Sequence, residues 1–386
     1  MPWLETDVRN ERIRFVVAAL QGEESTSEVC RRFGISRKTG YKWLARYKSV
    51  GTLSELCEQS RRPLQSPQRS PDATEQRVLA LRERYGWGSR KLQHLLLGEG
   101  VKLSRSSIDR ILDRHGVART SPHARPALKR FERSQPHELV QMDFKGQYRL
   151  ATQGWCYPLS LLDDHSRYAL ALEGLESLQG SGVEATLRAT FEREGVPQAM
   201  LMDHGAPWWS PANGHGLTEV SVFLIRQGVD LVHSGIAHPQ TQGKVERFHR
   251  TLETWLLHHG VPDSLADFKS AFRDFRLEYN TVRPHEALNL QTPARRYRPS
   301  LKPYRPQPPE WEYPVGAEVE RVDRHGSLHL DGGRRFVCEA LRGQHVRLER
   351  FGDRVLVSYR HMLIRELDLS TGSSRTVLKP RAELQQ

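Results

Sequence analysis

Three carboxylates stand where phosphodiester chemistry would need them. Asp143 ends the short apolar run Leu139-Val140-Gln141-Met142, which reads as a strand, and Asp203 follows a second such run at 199–202. Glu246 lies at the start of a long helical pattern whose apolar stripe is Phe248, Leu252, Trp255 and Leu256. In two-metal phosphoryl transfer one carboxylate bridges two Mg²⁺ ions and the others hold one each. One ion activates a water or 3′-hydroxyl and the other stabilises the departing 3′-oxygen. The sequence separations are 60 and 43 residues, so only a fold can bring these acids together. A lone acid is far more often a surface carboxylate.

Other residues compete for roles. Asp163 and Asp164 sit together in Asp163-Asp164-His165-Ser166-Arg167, a turn between strands expected at 157–162 and 168–172. There Asp164 or His165 is expected to fix the turn. His204 follows Asp203 and is expected to shape its loop or bond its carboxylate, with an approach to the leaving group as the alternative. Trp208 and Trp209 either stack on a splayed base or pack under the loop, and the sequence weights the two equally. Arg283 and His285 either touch nucleic acid or cap the domain.

The elements around these residues divide by charge. The net charge of +12 resolves into +12 for residues 1–137, −5 for 138–295 and +5 for 296–386. Basic segments neutralise phosphates, whereas an acidic middle repels nucleic acid unless its carboxylates hold cations. Four scattered cysteines without a CxxC pair support neither a disulfide framework nor a thiolate zinc site. There is no run of 18 apolar residues and no apolar stretch at the N-terminus, so a cytosolic, polyanion-binding protein without membrane contact is expected.

The basic front reads as tandem helix-turn-helix modules at 1–63 and 72–118, followed by a basic linker at 119–137. In the first, hydroxyls at 25–27 offer an N-cap, Gly34 permits a tight turn and Ser36 caps a third helix. That helix is expected to present Arg37, Lys38, Tyr41, Lys42 and Arg46 to the major groove while Trp43 and Leu44 face inward. In the second, Ser89 and Ser104 are expected caps, and Arg105, Ser106 and Arg110 are the expected DNA contacts. Alternating helices and strands across 138–295 argue an α/β domain with a mixed sheet. A six-proline stretch at 299–314 implies an extended linker (296–314). Short strands and Gly-rich turns at 315–370 suggest a small SH3-like barrel, with 371–386 as a disordered tail.

The wording around the acids carries a resemblance. "MDFKG" at Asp143, "LDDHSRYAL" at 162–170, "MDHGAPWW" at Asp203, "GVDLVHSGIAHPQTQGKVERFHRTLE" at 228–253 and "EYNTVRPHEAL" at 278–288 resemble the insertion-sequence DDE transposases of the retroviral-integrase superfamily. The resemblance covers 138–295 closely and the flanks more loosely. It implies an RNase H-like core with Asp143, Asp203 and Glu246 as the metal-binding catalytic triad, two Mg²⁺ ions with Mn²⁺ as a substitute, and DNA 3′-end cleavage followed by strand transfer. The implied partners are double-stranded DNA (terminal inverted repeats and target) and further copies of the chain, as a homodimer or larger. Two departures stand out. The gap from Asp203 to Glu246 is long, with the extra residues at 207–219, and the position seven after Glu246, often basic in integrases, is Glu253. Arg250, four after Glu246, is therefore the better phosphate contact, with Lys244 and Arg247 behind it. The alternative functions are a DNA-binding regulator with a scaffold core and a nuclease that does not transpose.

Overall fold

The computed structural model describes residues 7–53, 56–58, 69–117, 132–151, 153–210, 216–233 and 243–381. The chain divides after Ser70 into two compact units. Most of the Pro/Ser stretch before Pro71 and of the basic linker expected at 119–137 lies outside the described residues.

The first unit is a trihelical module of α1 (Val8–Gln21), α2 (Thr26–Arg32) and α3 (Arg37–Val50). Ser25 and Glu28 close a capping box on α2, and Ser36 caps α3 by accepting from the Thr39 amide. Gly34 takes φ +64° between them, a left-handed turn that a side chain would strain. Phe15, Val16, Val29, Cys30, Trp43 and Leu44 form the core. Val17 and Leu20 are exposed on α1. α3 crosses its neighbours at Gly40, where a Cβ would meet Cys30 Sγ and stand 2.9 Å from Phe15 Cζ.

The second unit opens with another trihelical module, α4 (Asp72–Tyr85), α5 (Ser89–Gly98) and α6 (Arg105–Arg114). Its core is Val78, Leu81, Trp87, Leu92, Leu96, Ile108, Ile111 and Leu112. Ser104 caps α6 as expected, but Gly88, not Ser89, stands at the cap of α5 and offers no side chain. The buried Glu75 carboxylate is clamped by Arg114 and by His115 at 3.1 Å. This module is docked on the central domain: His258 bonds the Glu83 carbonyl at 2.7 Å, and Val282 packs on the module's core.

The central domain runs β1 (Val140–Phe144), β2 (Tyr148–Arg149), β3 (Trp155–Asp163), β4 (Ala169–Leu175), α7 (Gly180–Glu194), β5 (Ala199–Met202), α8 (Glu219–Arg226), β6 (Asp230–His233), α9 (Gly243–His259) and α10 (Leu265–Thr281). β4, β3 and β1 pair antiparallel, and β1, β5 and β6 pair parallel. Successive strand residues face opposite sides. Val140, Met142, Leu161 and Met200 pack under α7 and α8, whereas Leu162, Ala169 and Leu172 pack under α9 and α10. The short β2 and the helix α10 are elements that periodicity alone had not marked.

The C-terminal strands are β7 (Glu318–Arg321), β8 (Ser327–Leu330), β9 (Gly333–Phe336), β10 (His345–Phe351), β11 (Arg354–Tyr359), β12 (Met362–Asp368) and β13 (Ser374–Pro380). They do not form the expected SH3-like barrel. Five make an open sheet ordered β13-β12-β11-β10-β7, with β8 and β9 as a separate hairpin, and no pairing closes it among the described residues. The physical reason is that the sheet need not close on itself, because its apolar face is covered by the central domain. Val346, Val355, Val357 and Ile364 belong to one continuous core with Val220 and Leu224 of α8. The tail expected to be disordered contributes β13, paired along β12. The proline-rich segment lacks regular structure but is bound to the core. Val196 donates to the Lys302 carbonyl, Ser300 to the Glu194 carbonyl and Gln227 to the Arg305 carbonyl, each at 2.8 Å. Among the described residues no helix is long and apolar enough to cross a membrane.

Candidate active site

The β1–β5 ladder pairs Val140 with Met200 and Gln141 with Leu201 in parallel. Asp143 and Asp203 each follow two residues later, so both leave the sheet at the same end of adjacent strands. Across β1, Asp143 registers with Ser160 of β3. α9 covers the face that Asp143 and Ser160 share, with Val245, Phe248 and Leu252 buried and Glu246 exposed.

Asp143 is the electrostatic centre. Its carboxyl is raised from an ordinary 3.8 to about 7, chiefly by burial, then by the Asp203 charge and, more weakly, by Glu246, against a backbone hydrogen bond from Phe144 that lowers it. Asp143 thus feels both of the other acids. They are not drawn into a closed cage: among the described residues no three His, Cys, Asp or Glu side chains stand together as an ion site. The donor chemistry fits Mg²⁺, a hard cation that takes carboxylate oxygens and keeps several waters. A cation is also what relieves the repulsion that Asp203 and Glu246 impose on Asp143.

Asp203 is held by its own turn. Its Oδ1 accepts from the Gly205 amide at 2.9 Å and from Trp208 Nε1 at 2.8 Å, and its carbonyl accepts from His233 Nδ1 at 3.0 Å. Trp208 is fully buried and stacks on Phe144 at 5.4 Å with a 9° interplanar angle. Of the two roles open to it, the packing role is the one observed, because the ring has no free face to offer a base. Trp209 is half-buried, edge-on to His204 at 4.5 Å and to His233 at 4.9 Å. His204 itself is exposed, and the Asp203 carboxylate is served by Gly205 and Trp208 instead.

Asp163 and Asp164 are wholly buried and serve the backbone. Asp163 accepts from the His137 and Ser166 amides and from the Ser166 hydroxyl. Asp164 accepts from the Arg133 amide and Gln141 Nε2, and pairs with Lys244 Nζ at 2.5 Å. Lys244 is thereby a lock on the 163–167 turn rather than the free phosphate contact its sequence position suggested. Glu253 has a local partner as well, Lys145 Nζ at 3.8 Å.

One residue was missed. His249 is buried, three positions after Glu246, with one ring nitrogen 2.9 Å from the Ser160 hydroxyl and the other 3.7 Å from Asp143 Oδ2. Burial and, secondarily, the Lys145 charge hold its pKa down to about 3, so it is neutral at physiological pH. The signal was available: residues three apart share a helix face, so the block that displays Glu246 also turns His249 toward β1.

Matches to known proteins fall on this architecture. Integrase core domain models match residues 133–239 and 227–293, a helix-turn-helix domain model matches 11–63, and a homeodomain-like model matches 39–112. An uncharacterised 31.7 kDa protein of insertion element IS407 from Burkholderia multivorans is 26% identical over 57% of this chain and 80% of its own length. An uncharacterised 39.2 kDa protein of insertion element IS476 from Xanthomonas euvesicatoria is 25% identical over 54% of this chain and 59% of its own. The chain thus carries an integrase core domain and is similar to proteins of bacterial insertion elements. Among solved structures, the HTLV-2 integrase catalytic core domain in complex with magnesium aligns at 15% identity with a TM-score of 0.33, over 42% of this chain and 97% of that one.

The chain displays its expected DNA contacts unevenly. On α3, Arg37, Lys38, Tyr41 and Lys42 are exposed, whereas Arg46 is half-buried, bonded to the Cys57 carbonyl and 4.8 Å above Trp43. On α6, Arg105 and Ser106 are exposed, while Arg110 folds back on its own helix to the Ser106 carbonyl at 3.1 Å and Ser107 Oγ at 3.3 Å. Arg247 and Arg250 are exposed on α9 beside Glu246.

Proposed function

We propose that the chain binds the terminal inverted repeats of its element, cleaves there to free 3′-hydroxyl ends and joins them to target DNA. The observation that carries this reading is the emergence of Asp143 and Asp203 from adjacent parallel strands, with Glu246 of α9 close enough to shift Asp143. The order of antiparallel and parallel strands supports the RNase H-like core that the resemblance implied.

Asp143, Asp203 and Glu246 would hold two Mg²⁺ ions, or Mn²⁺ in their place, which when bound supply an activated oxygen nucleophile and charge stabilisation for the leaving 3′-oxygen. The chain's own contributions follow from its contacts. The Gly205 amide and Trp208 occupy Asp203 Oδ1, which fixes the carboxylate's orientation and leaves Oδ2 without either of these bonds. Neutral His249, itself bonded to Ser160, limits where Asp143 can swing without adding a charge. Arg250 and Arg247 flank Glu246 and would take backbone phosphates, and the exposed starts of α3 and α6 would read the repeats. Two DNA ends must be brought together, so the working form is a homodimer or a larger assembly.

The test is strand transfer on end-sequence DNA with Mg²⁺. Asp143→Asn, Asp203→Asn and Glu246→Gln should each abolish joining and leave end binding intact. Normal joining by any one removes that residue from the triad. End binding with no Mg²⁺-dependent cleavage by the unmodified chain would leave only a DNA-binding scaffold.

A further inference from the structure

Where the second trihelical module meets the central domain, cations gather with too few anions. Arg283, just beyond α10, lies 5.9 Å from the Trp87 ring centroid, and its Nε and Nη1 are sealed from solvent without a hydrogen-bond partner. Lys91, in the first turn of α5, is only 20% exposed, and its nearest carboxylate, Glu286, stands 3.8 Å away and is also shared with Arg90 at 3.4 Å. Burial first, then Arg283, and more weakly Arg247 and Arg90 push the Lys91 ammonium down to about 8 against the pull of Glu286. Arg247 bears on Arg283 in the same sense. α5 begins here at Gly88 with no side-chain cap, so its first amides add their own positive field.

Other arginines of this unit keep at least one bond: Arg335, Arg347 and Arg365 each leave Nε without a partner but bond the Leu369 carbonyl, Glu349 and the Val337 carbonyl through another nitrogen. Arg82 donates to the Gly86 and Trp87 carbonyls at 2.8 and 2.7 Å, and Arg276 to the Leu170 carbonyl at 2.9 Å. Packing thus gives these arginines acceptors for most of their buried donors, whereas Arg283 has two buried donors without one. A sealed guanidinium with open donors is unfavourable until an acceptor arrives. The donors it presents, a planar fork beside an ammonium and a helix start, match a phosphate.

We propose that the seam formed by Arg283, Lys91 and Arg247 with the uncapped start of α5 is a binding site for one phosphodiester of the DNA backbone. The choice of a DNA phosphate over a free anion rests on the transferase reading above. Arg247, the residue after Glu246, is close enough to weigh on both Lys91 and Arg283, so a phosphate seated there would hold the duplex on the α9 side of the acids. It also ties the second module to the strand being processed.

Two measurements on the full chain separate the parts of this proposal. In thermal unfolding, inorganic phosphate at constant ionic strength should raise the melting temperature of the unmodified protein and not that of Arg283→Met. Without phosphate, Arg283→Met should melt no lower, since it removes an unsatisfied cation. Lys91→Gln, which leaves the Trp87 packing alone, should blunt the phosphate response as well. A lower melting temperature for Arg283→Met, with no phosphate effect on the unmodified chain, would make Arg283 a packing residue and overturn the site. In the second measurement, end DNA carries single neutral methylphosphonates. One position should weaken the unmodified protein roughly tenfold and leave Arg283→Met unaffected. If every position affects both proteins alike, the seam holds no backbone phosphate. If the phosphate response persists but end DNA does not bind at all, the seam stands as an anion site and the transferase reading fails.

Discussion

Asp143→Asn should stabilise the fold, and by an amount that depends on pH. The folded carboxyl keeps its proton up to about 7, whereas an ordinary one loses it near 3.8. The proton's contribution to stability is therefore complete below about pH 4, declines as pH rises through the interval, and is gone above about 7. Three pH units correspond to about 4 kcal/mol. The Asp143 side chain retains 18% exposure, so the realised effect is about 2–4 kcal/mol. An asparagine cannot ionise and escapes this penalty. In metal-free buffer with chelator, Asp143→Asn and the unmodified chain should unfold at similar temperatures near pH 4. The variant should lead by at least about 4 °C at pH 8. Mg²⁺ should close the gap by stabilising the unmodified protein alone. Its affinity should fall about tenfold per pH unit below 7, where the ion must displace a proton. A difference between the two proteins that is the same at every pH would refute the assignment of strain to this carboxyl.

Three further outcomes follow from packing. A Cβ at Gly205 would stand 2.9 and 3.1 Å from the Asp203 carboxylate oxygens, so Gly205→Ala should cut strand transfer at least about tenfold while shifting the unfolding midpoint little; unchanged joining rates would count against the Asp203 turn as a positioning device. Gly40→Ala should destabilise the first unit by about 1–3 kcal/mol, because its Cβ meets Phe15 and Cys30. Hydrogen exchange should show this opening in residues 7–53 while the central domain keeps its protection. Glu75→Ala should lower the stability of the second module by about 1–3 kcal/mol by stranding Arg114 and His115, measured as a drop in denaturant midpoint.

The sequence made the helical modules legible because their signals are local: Ser25, Ser36 and Ser104 cap helices, and Gly34 makes its turn, through bonds spanning a few residues. The strands carrying Asp143 and Asp203 were legible for the same reason, as short apolar runs ending in an acid. What escaped was set by distant partners. Whether Lys244 meets a phosphate or Asp164 depends on contacts eighty positions apart, and no spacing rule encodes them. Trp208 offered two roles equally until Phe144 and Asp203 were seen on either side of it. The open C-terminal sheet and its strand β13 escaped because short alternating strands look alike whether they close on themselves or lie on another domain. Only the shared core with α8 distinguishes the two.

The same imbalance occurs twice along α9, with opposite signs. On one side of the helix start, Glu246 adds to a cluster of acids whose mutual repulsion shows as the raised Asp143 carboxyl. On the next residue, Arg247 adds to a cluster of cations whose repulsion shows in Lys91 and in the unpartnered Arg283. Neither cluster is relieved by the other, since Glu246 and Arg247 point apart on consecutive helical positions. The first is satisfied by divalent cations and the second by a phosphate, and a metal-loaded site on DNA supplies both. Each ligand then lowers the electrostatic strain next to the other's site, so Mg²⁺ and end DNA should each tighten the other's binding by the same factor. The net charge of −5 over residues 138–295 thus conceals a local excess of acid at Asp143 and a local excess of base at Arg247 and Arg283, each left open for a different ligand.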